Sequence, residues 1–462
     1  MKTARRIAQV LDRPAVRNGI VLGLWLAAAA VVAVRLSILF SNPILPGEPY
    51  RGSDGNFLDL RDTIWTPGRF MLEGGNPYDP NTYLTANPWA LPFSLYTPAW
   101  LLLAAVLALL PYLVSVAVFQ ALSIGVAIVM LRILCRWGMP TLADVAVPAG
   151  LIWMNIWYPG RGAISVQLGS LLAVLGVVLV LRSLTRPETQ DAPVERAARP
   201  WAALDRACAV GVALALVKAQ FGAIVLVALA GRRYREVLCG IIGLALASVP
   251  VLIVCTVAAG SPVEFVRSIL RDLAVLTSDG APTGLTFPGQ ERFDLLGILA
   301  RYGLIDPPLW LEAGVPILAL AAVVLVIRLT RNPLAVSAVV SASMLVGYYH
   351  GRYDLLLLFV PVVVGFGMMI RGQLRSVAEW IVLVALTLVV LHLHTVSKSL
   401  IPGFDLLAQD TVDLVLILAG LTGGMYSAVS ARRRRSTGTQ LALPDSQLDE
   451  EVGDGAQGLR PG

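Results

Sequence analysis

The chain has 462 residues, of which 56% are hydrophobic and only 14% charged. Its apolar residues fall in repeated runs of roughly 18–25, the length that crosses about 30 Å of bilayer. Such runs are apolar on every side, which excludes a soluble globular domain, and their backbone groups must be satisfied within helices. The formal charge of +6 does not make a nucleic-acid surface. The basic residues Lys2, Arg5, Arg6, Arg13 and Arg17, then Arg232, Arg233 and Arg235, then Arg432 to Arg435 sit at the ends of apolar runs, where they orient membrane helices. The four cysteines, Cys135, Cys208, Cys239 and Cys255, lie in or beside apolar segments without metal-type spacing and read as small core residues. The fold class expected is all-α: a polytopic transmembrane helical protein of about 11–13 membrane segments.

The first apolar run, residues 20–40, is too long for a signal-peptide core and is followed by no small-residue cleavage pattern, so it is expected to stay as an anchor. Five basic residues before it place the N-terminus in the cytoplasm and deliver the polar insert 42–96 to the external face. That insert carries Asp54, Asp59, Asp62 and the run Leu72-Glu-Gly-Gly-Asn-Pro-Tyr-Asp-Pro80. Residues 56–72 mix charges with aromatic and aliphatic side chains as an interfacial helix does, and the Gly-Gly-Asn-Pro segment is dense turn chemistry. Short helices lying on the membrane surface are expected there.

Further apolar runs cover residues 98–110, 112–133, 142–157, 164–181, 207–230 and 236–259. Six full crossings would put the basic connection 182–206 outside. The alternative is that 207–230, with arginines at both ends and Lys218 in the middle, is a broken hairpin that enters and leaves on the cytoplasmic side. Either way residues 260–308 are external. They open with the capping box Ser261-Pro-Val-Glu264, followed by Phe265, Val266, Ile269, Leu270 and Leu273 on one expected face of an interfacial helix. Beyond it, Arg328 and Arg331, Arg371 and Arg375, and residues 432–435 alternate with runs whose other ends lie outside, so residues 348–354 form an external helix junction. The domain division is 1–430 for the membrane domain and 431–462 for a polar, disordered cytoplasmic tail.

The chemistry available is sparse. Asp54, Asp59 and Asp62 at the mouth of a bundle offer a carboxylate to remove an acceptor proton, or else pair with Arg51, Arg61 and Arg69. His350, Arg352, Tyr353 and Asp354 interrupt two apolar helices, either as a hydrated turn or as a cationic site for phosphate. Lys218, beside Gln220 and midway along an apolar run, must snorkel, find a partner or face a cavity. Arg161 and Gln167 form a polar notch between two runs. Phosphate loops ending in Lys-Ser/Thr, His-Glu-x-x-His and Gly-x-Ser-x-Gly do not occur, which removes the usual marks of nucleotide-driven transport and hydrolysis.

An ordered set of segments resembles glycosyltransferase family 87, polyprenol-phosphate-sugar-dependent membrane enzymes of the GT-C superfamily. These are Asp59-Leu-Arg-Asp62, Leu72-Glu-Gly-Gly-Asn-Pro-Tyr78, Tyr96-Thr-Pro98, Gln167-Leu-Gly169, Ala215-Leu-Val-Lys218-Ala-Gln, Arg232-Arg-Tyr-Arg235, and Tyr349 to Asp354 leading into Leu-Leu-Leu-Leu-Phe-Val-Pro361. The resemblance runs over residues 20–430. It implies a GT-C-like fold with external interfacial helices, held in the cell membrane with its active site on the external face and both termini cytoplasmic. It further implies a polyprenyl-phosphate-linked sugar, most simply mannose, transferred with inversion to an envelope glycolipid or glycan, with Asp59, or its neighbour Asp62, as the base. Lys218, His350 and Arg352 would stabilise the departing phosphate, and Tyr353, Asp354 and Gln167 would complete the donor site. No metal and no cofactor are implied, and the partners are membrane lipid, donor and acceptor, with no nucleic acid. Arabinofuranosyl transfer is the alternative within the family. A lipid or sugar transporter or flippase is the rival class, though no internal repeat of the transporter kind is visible.

Overall fold

The computed structural model describes residues 14–49, 60–93, 96–156, 168–186, 205–277, 294–303, 308–348, 352–391 and 406–441, and all its regular elements there are helical. In chain order the helices are α1 (Pro14–Ser41), a π-helical turn (Arg61–Trp65), α2 (Thr66–Leu72), α3 (Pro80–Ala86), α4 (Pro98–Ala108), α5 (Tyr112–Gly138) and α6 (Ala143–Ile156). Next come α7 (Leu168–Thr185), α8 (Arg206–Leu216), α9 (Ala223–Ala230), α10 (Tyr234–Ala259), α11 (Pro262–Thr277) and α12 (Leu295–Arg301). The last group is α13 (Leu309–Leu329), α14 (Pro333–Gly347), a 3-10 turn (Arg352–Leu358), α15 (Phe359–Ile370), α16 (Val377–Val390) and α17 (Leu406–Leu441). Six of these are long and apolar enough to cross a membrane, and six shorter apolar segments accompany them. Apolar side chains such as Leu26 on α1, 63% exposed, and Leu246 on α10, 66% exposed, point away from the protein, an arrangement that is stable only against lipid.

Polar contacts between helix ends fix their directions. Arg17 near the start of α1 pairs with Asp144 at the start of α6 (2.8 Å), and Arg371 after α15 donates to the Gly138 carbonyl that ends α5 (2.6 Å). Asn332 before α14 donates to Glu379 of α16 (2.8 Å), and Ser427, late in α17, donates to the same carboxylate (3.4 Å). These arginine-rich ends form one face of the bundle. The insert and α11 cover the opposite end.

The alternative left open for 207–230 resolves as the broken hairpin. At the arginine-rich end, Ser183 of α7 donates to Asp205, the cap of α8 (2.5 Å), and Arg233 after α9 donates to the Ser183 carbonyl (3.0 Å). The chain thus climbs through α8, breaks at Val217–Phe221, and returns through α9 to the end it left. Gly176 and Gly211 let α7 and α8 touch backbone to backbone, since a Cβ on either would strike the other's carbonyl oxygen. Helix α17 continues to Leu441, past the boundary expected at 430; residues 442–462 lie outside the described set.

The interfacial helix α11 starts as expected, with the Glu264 N–H capped by Ser261 Oγ (3.1 Å) and Pro262 in the first position. Its expected single apolar face is divided. Phe265, Ser268, Asp272 and Leu276 are buried, whereas Val263, Val266, Leu270 and Leu273 form a second, exposed stripe. At about 100° per residue, Phe265 and Val266 cannot share a face, so one stripe packs on the insert and the other is left for the membrane surface.

Candidate active site

At the apex of the hairpin four of the stretches singled out in the sequence meet: Tyr96-Thr-Pro98, Gly169, Lys218 and Asp354. Lys218 adopts an extended conformation (φ −108°, ψ 112°) between α8 and the short 3-10 turn Ala219–Phe221. The break is held by a strand-like pairing of Lys218 with Tyr96, in which the Thr97 N–H and hydroxyl both donate to the Val217 carbonyl, at 3.2 and 3.3 Å. Pro98 then opens α4, as the Tyr-Thr-Pro spacing predicts, because its missing N–H costs nothing at a first helical position. Gly169 supplies the room for Tyr96: a Cβ there would lie 2.5 Å from the Tyr96 ring, which stacks on Trp100 at 4.6 Å.

Lys218 does not snorkel. Its ammonium donates to both oxygens of Asp354, at 3.0 and 3.2 Å, and to Ser170 Oγ at 2.8 Å, while the Ser170 hydroxyl donates to Asp354 at 2.9 Å. All three side chains are buried, and the Phe221 ring lies 5.9 Å from the ammonium. A cation in hydrocarbon needs such a counter-charge. The half-buried Gln220, two residues on, has a buried side-chain oxygen with no hydrogen-bond partner among the described residues. The site therefore presents a fixed cation and carboxylate in a low-dielectric setting.

The insert folds over this apex. The Asn76 side chain caps the Tyr78 N–H (3.1 Å) and donates to Ser268 of α11 (2.8 Å), and the Tyr78 hydroxyl donates to the Tyr96 carbonyl (3.0 Å). One apolar cluster runs through Leu60, Tyr78, Phe93, Tyr96, Trp100 and Leu168. It links Leu60, at the start of the insert's second described stretch, to Val217 beside Lys218.

Asp62 is buried and held by its own neighbour: Arg61 donates to both of its oxygens, at 2.7 and 3.1 Å, and also to the carbonyls of Glu48 (2.7 Å) and Trp89 (3.2 Å). Adjacent residues do not normally face each other on a helix; the wider π turn brings these two together. Burial pushes the Asp62 carboxyl up, against the pull of Arg61 and a backbone N–H. Asp54, Asp59, Arg161, Gln167 and His350 lie outside the described residues. Arg352 and Tyr353 are placed in the 3-10 turn by their backbone, directly before Asp354.

Two residues of this region escape a reading of the sequence. Ser170 gives no signal, being a lone serine at the start of an apolar helix. Asp272 does leave a trace: it follows Phe265 by seven residues and Ser268 by four, the spacing of the buried stripe of α11. Its Oδ1 has no hydrogen-bond partner among the described residues, and burial raises its carboxyl to about 8. Among the described residues no group of three or more His, Cys, Asp or Glu side chains is placed to hold a metal ion.

Comparison with known proteins identifies the family. The model of "Glycosyltransferase family 87" matches residues 94–349, more than half of the chain. The match takes in Tyr96, Ser170 and Lys218, begins with the last residues of the insert and stops short of Asp354. No curated protein and no solved structure matches. With a family match over most of a helical membrane bundle, and the paired Tyr96–Lys218 apex inside the matched region, the chain belongs to glycosyltransferase family 87 and is a membrane glycosyltransferase.

Proposed function

We propose that the protein transfers mannose from a polyprenyl-phosphate donor to an envelope glycolipid or glycan on the external face of the cell membrane. The observation that carries this reading is the convergence of the insert with a buried, counter-charged lysine at a helix break, at the end of the bundle away from the arginine clusters. A lipid-phosphate donor needs apolar walls for its chain and a fixed cation for its headgroup, and this place offers both.

In the proposed step the Asp59 carboxylate takes the acceptor hydroxyl proton as that oxygen attacks the anomeric carbon from the face opposite the phosphate. The carbon–oxygen bond to phosphate breaks, the anomeric centre inverts, and polyprenyl phosphate leaves with one more negative charge. Lys218, kept charged by Asp354 and Ser170, stabilises that charge, with Arg352, His350, Tyr353 and Gln167 completing the donor site. Asp59 is preferred over Asp62 as the base because both Asp62 oxygens are engaged by Arg61. Membranes containing the protein, incubated with radiolabelled polyprenyl-phosphate mannose and a lipid-acceptor extract, are expected to make labelled glycolipid. Asp59→Asn is expected to lower the rate by about 10² to 10⁴ with donor binding retained, since asparagine keeps the shape but not the proton acceptor. Label taken only from polyprenyl-phosphate arabinofuranose would reassign the sugar. Undiminished transfer by Asp59→Asn would remove the base.

A further inference from the structure

Arg35 is a cation that neither the arrangement of helix ends nor the proposed reaction uses. It stands in α1, eighteen residues beyond Arg17, which places it about 27 Å from the arginine-rich end and near the far boundary of a hydrocarbon layer about 30 Å thick. An arginine at such a depth ordinarily snorkels, leaning along the helix until the guanidinium reaches water. Arg35 does not. Its Nε and Nη2 are closed off from solvent, and neither has a hydrogen-bond partner among the described residues.

The direction of the side chain follows from the helix face it occupies. Ala28, Val32, Arg35 and Leu39 follow one another at spacings of four, three and four, which is one side of a helix. Ala28 and Val32 pack in the main apolar core and Leu39 in the cluster of the insert, whereas Leu22 and Leu26, on the opposite side of α1, are exposed toward lipid. Arg35 therefore points into the protein where α1 passes from one apolar cluster to the other.

Its depth matches that of the apex. Helix α6 packs along α1 and starts beside Arg17, but Ile156 is only twelve residues past Asp144, about 18 Å, so α6 stops about 9 Å short of Arg35. On α7, Ser170 is thirteen residues from Ser183, about 20 Å from the same arginine-rich end. Arg35 and the Lys218–Ser170 contact thus lie within about 7 Å of each other along the bundle axis. A guanidinium turned inward at this depth calls for an anion. Its fork matches phosphate oxygens, and Val34 and Ile38, exposed on its flank, offer an apolar track for a lipid chain.

We propose, on the basis of the lipid-phosphate donor inferred above, that Arg35 holds the phosphate of that donor while its polyprenyl chain lies along α1. A carboxylate of the protein is the competing anion, and the test separates the two.

Full-length protein in phosphatidylcholine nanodiscs is titrated with farnesyl phosphate, farnesol, dioctanoyl phosphatidate and inorganic phosphate. The wild-type protein is expected to bind farnesyl phosphate saturably, at least tenfold tighter than the other three. Arg35→Gln should weaken that binding about tenfold or more, through loss of a charge-assisted contact, and Arg35→Lys, which keeps the charge but not the fork, by a smaller factor. Without ligand, Arg35→Gln should melt no lower than wild type, because no internal partner is lost. Farnesyl phosphate binding unchanged in either variant would overturn the inference. A lower melting temperature for ligand-free Arg35→Gln would identify an internal carboxylate as the partner and overturn it as well. Phosphatidate or inorganic phosphate bound as tightly as farnesyl phosphate would overturn the donor assignment. Failure of the wild-type protein itself to bind farnesyl phosphate would instead remove the lipid-phosphate donor, a result distinct from variants that bind as the wild type does.

Discussion

Two buried ion pairs lie away from the arginine-rich end of the bundle, and they are built in opposite ways. Arg61 and Asp62 are neighbours in the chain, brought face to face by a π turn, and the same guanidinium ties down the carbonyls of Glu48 and Trp89 and lies 5.0 Å from the centre of the Trp89 ring. Lys218 and Asp354 are separated by 136 residues and meet only when the hairpin apex docks beside the start of α15. The first pair closes the insert on itself, while the same turn leans on the bundle, where the Trp100 indole of α4 donates to the Thr63 carbonyl (3.0 Å). The second joins two breaks in the helical scaffold and places a charge where hydrocarbon would otherwise exclude it. The insert is thus tied together partly by local bonds, whereas the apex is a site that exists only in the completed fold.

The largest effect expected from this contrast comes from breaking the long-range pair. Lys218→Met or Asp354→Asn alone leaves an uncompensated buried charge and should cost about 3–5 kcal/mol of stability. The double variant leaves no charge behind and should recover most of that loss, as read from thermal inactivation of the purified protein. Under the proposed mechanism transfer activity should stay strongly reduced in the double variant, because the fixed charge of Lys218 is gone and only the remaining cations of the donor site are left for the departing phosphate. Asp62→Asn is the counterpart in the insert. Arg61 keeps its two carbonyl partners there, so the loss should be smaller, about 1.5–3 kcal/mol for the charge-assisted bonds removed. A double variant that recovers both stability and transfer would reduce the Lys218–Asp354 pair to scaffolding.

The same contrast explains what was legible in the sequence. Lys218 stands out because an ionisable residue midway along an apolar run has to be accommodated, and the arginines at both ends of that run mark a hairpin. The partner of Lys218 cannot be read this way, since nothing local ties it to Asp354 rather than to any other carboxylate, and Ser170 is ordinary in its own helix. Tyr96-Thr-Pro98 is legible as a helix start through its proline, but its pairing with Val217 and Lys218 is a contact across 120 residues. The capping box of α11 is legible because its bonds are local. The division of that helix into a buried, partly polar stripe and an exposed apolar one is not, because it depends on the insert packing against one side.

A smaller effect separates the two regions by pH. Asp272, buried on the inner stripe of α11, has its carboxyl raised to about 8, so the folded protein holds a proton there that the unfolded chain releases near pH 4. Between about pH 4 and 8 the folded state binds the extra proton, so stability falls as pH rises through that window and levels off above it. The change should amount to a few kcal/mol at most. Asp272→Asn should flatten this slope in melting curves taken across the range, whereas Lys218→Met/Asp354→Asn should keep it. A slope unchanged by Asp272→Asn would mean that water reaches the carboxylate and that α11 does not seal the insert.

The smallest change tests whether cover and apex act together. The Tyr78 hydroxyl donates to the Tyr96 carbonyl at 3.0 Å, and Tyr96 is the residue paired with Lys218, so this single bond runs from the Asn-Pro-Tyr turn of the insert to the apex. Tyr78→Phe removes the bond but keeps the ring, whose edge-to-face contacts with Phe93 at 5.1 Å and Phe265 at 5.8 Å hold the turn in place. Losing one buried neutral hydrogen bond costs about 1 kcal/mol. If the bond positions the apex, that energy should appear as a roughly fivefold rise in the KM for the lipid-phosphate donor, with kcat little changed. If the insert is only a lid resting on an independent site, the loss should appear in melting temperature alone and leave the kinetics untouched. Combining Tyr78→Phe with Asp62→Asn sharpens the distinction. The two should add in stability, because they act on separate contacts, while only the tyrosine should move the donor KM.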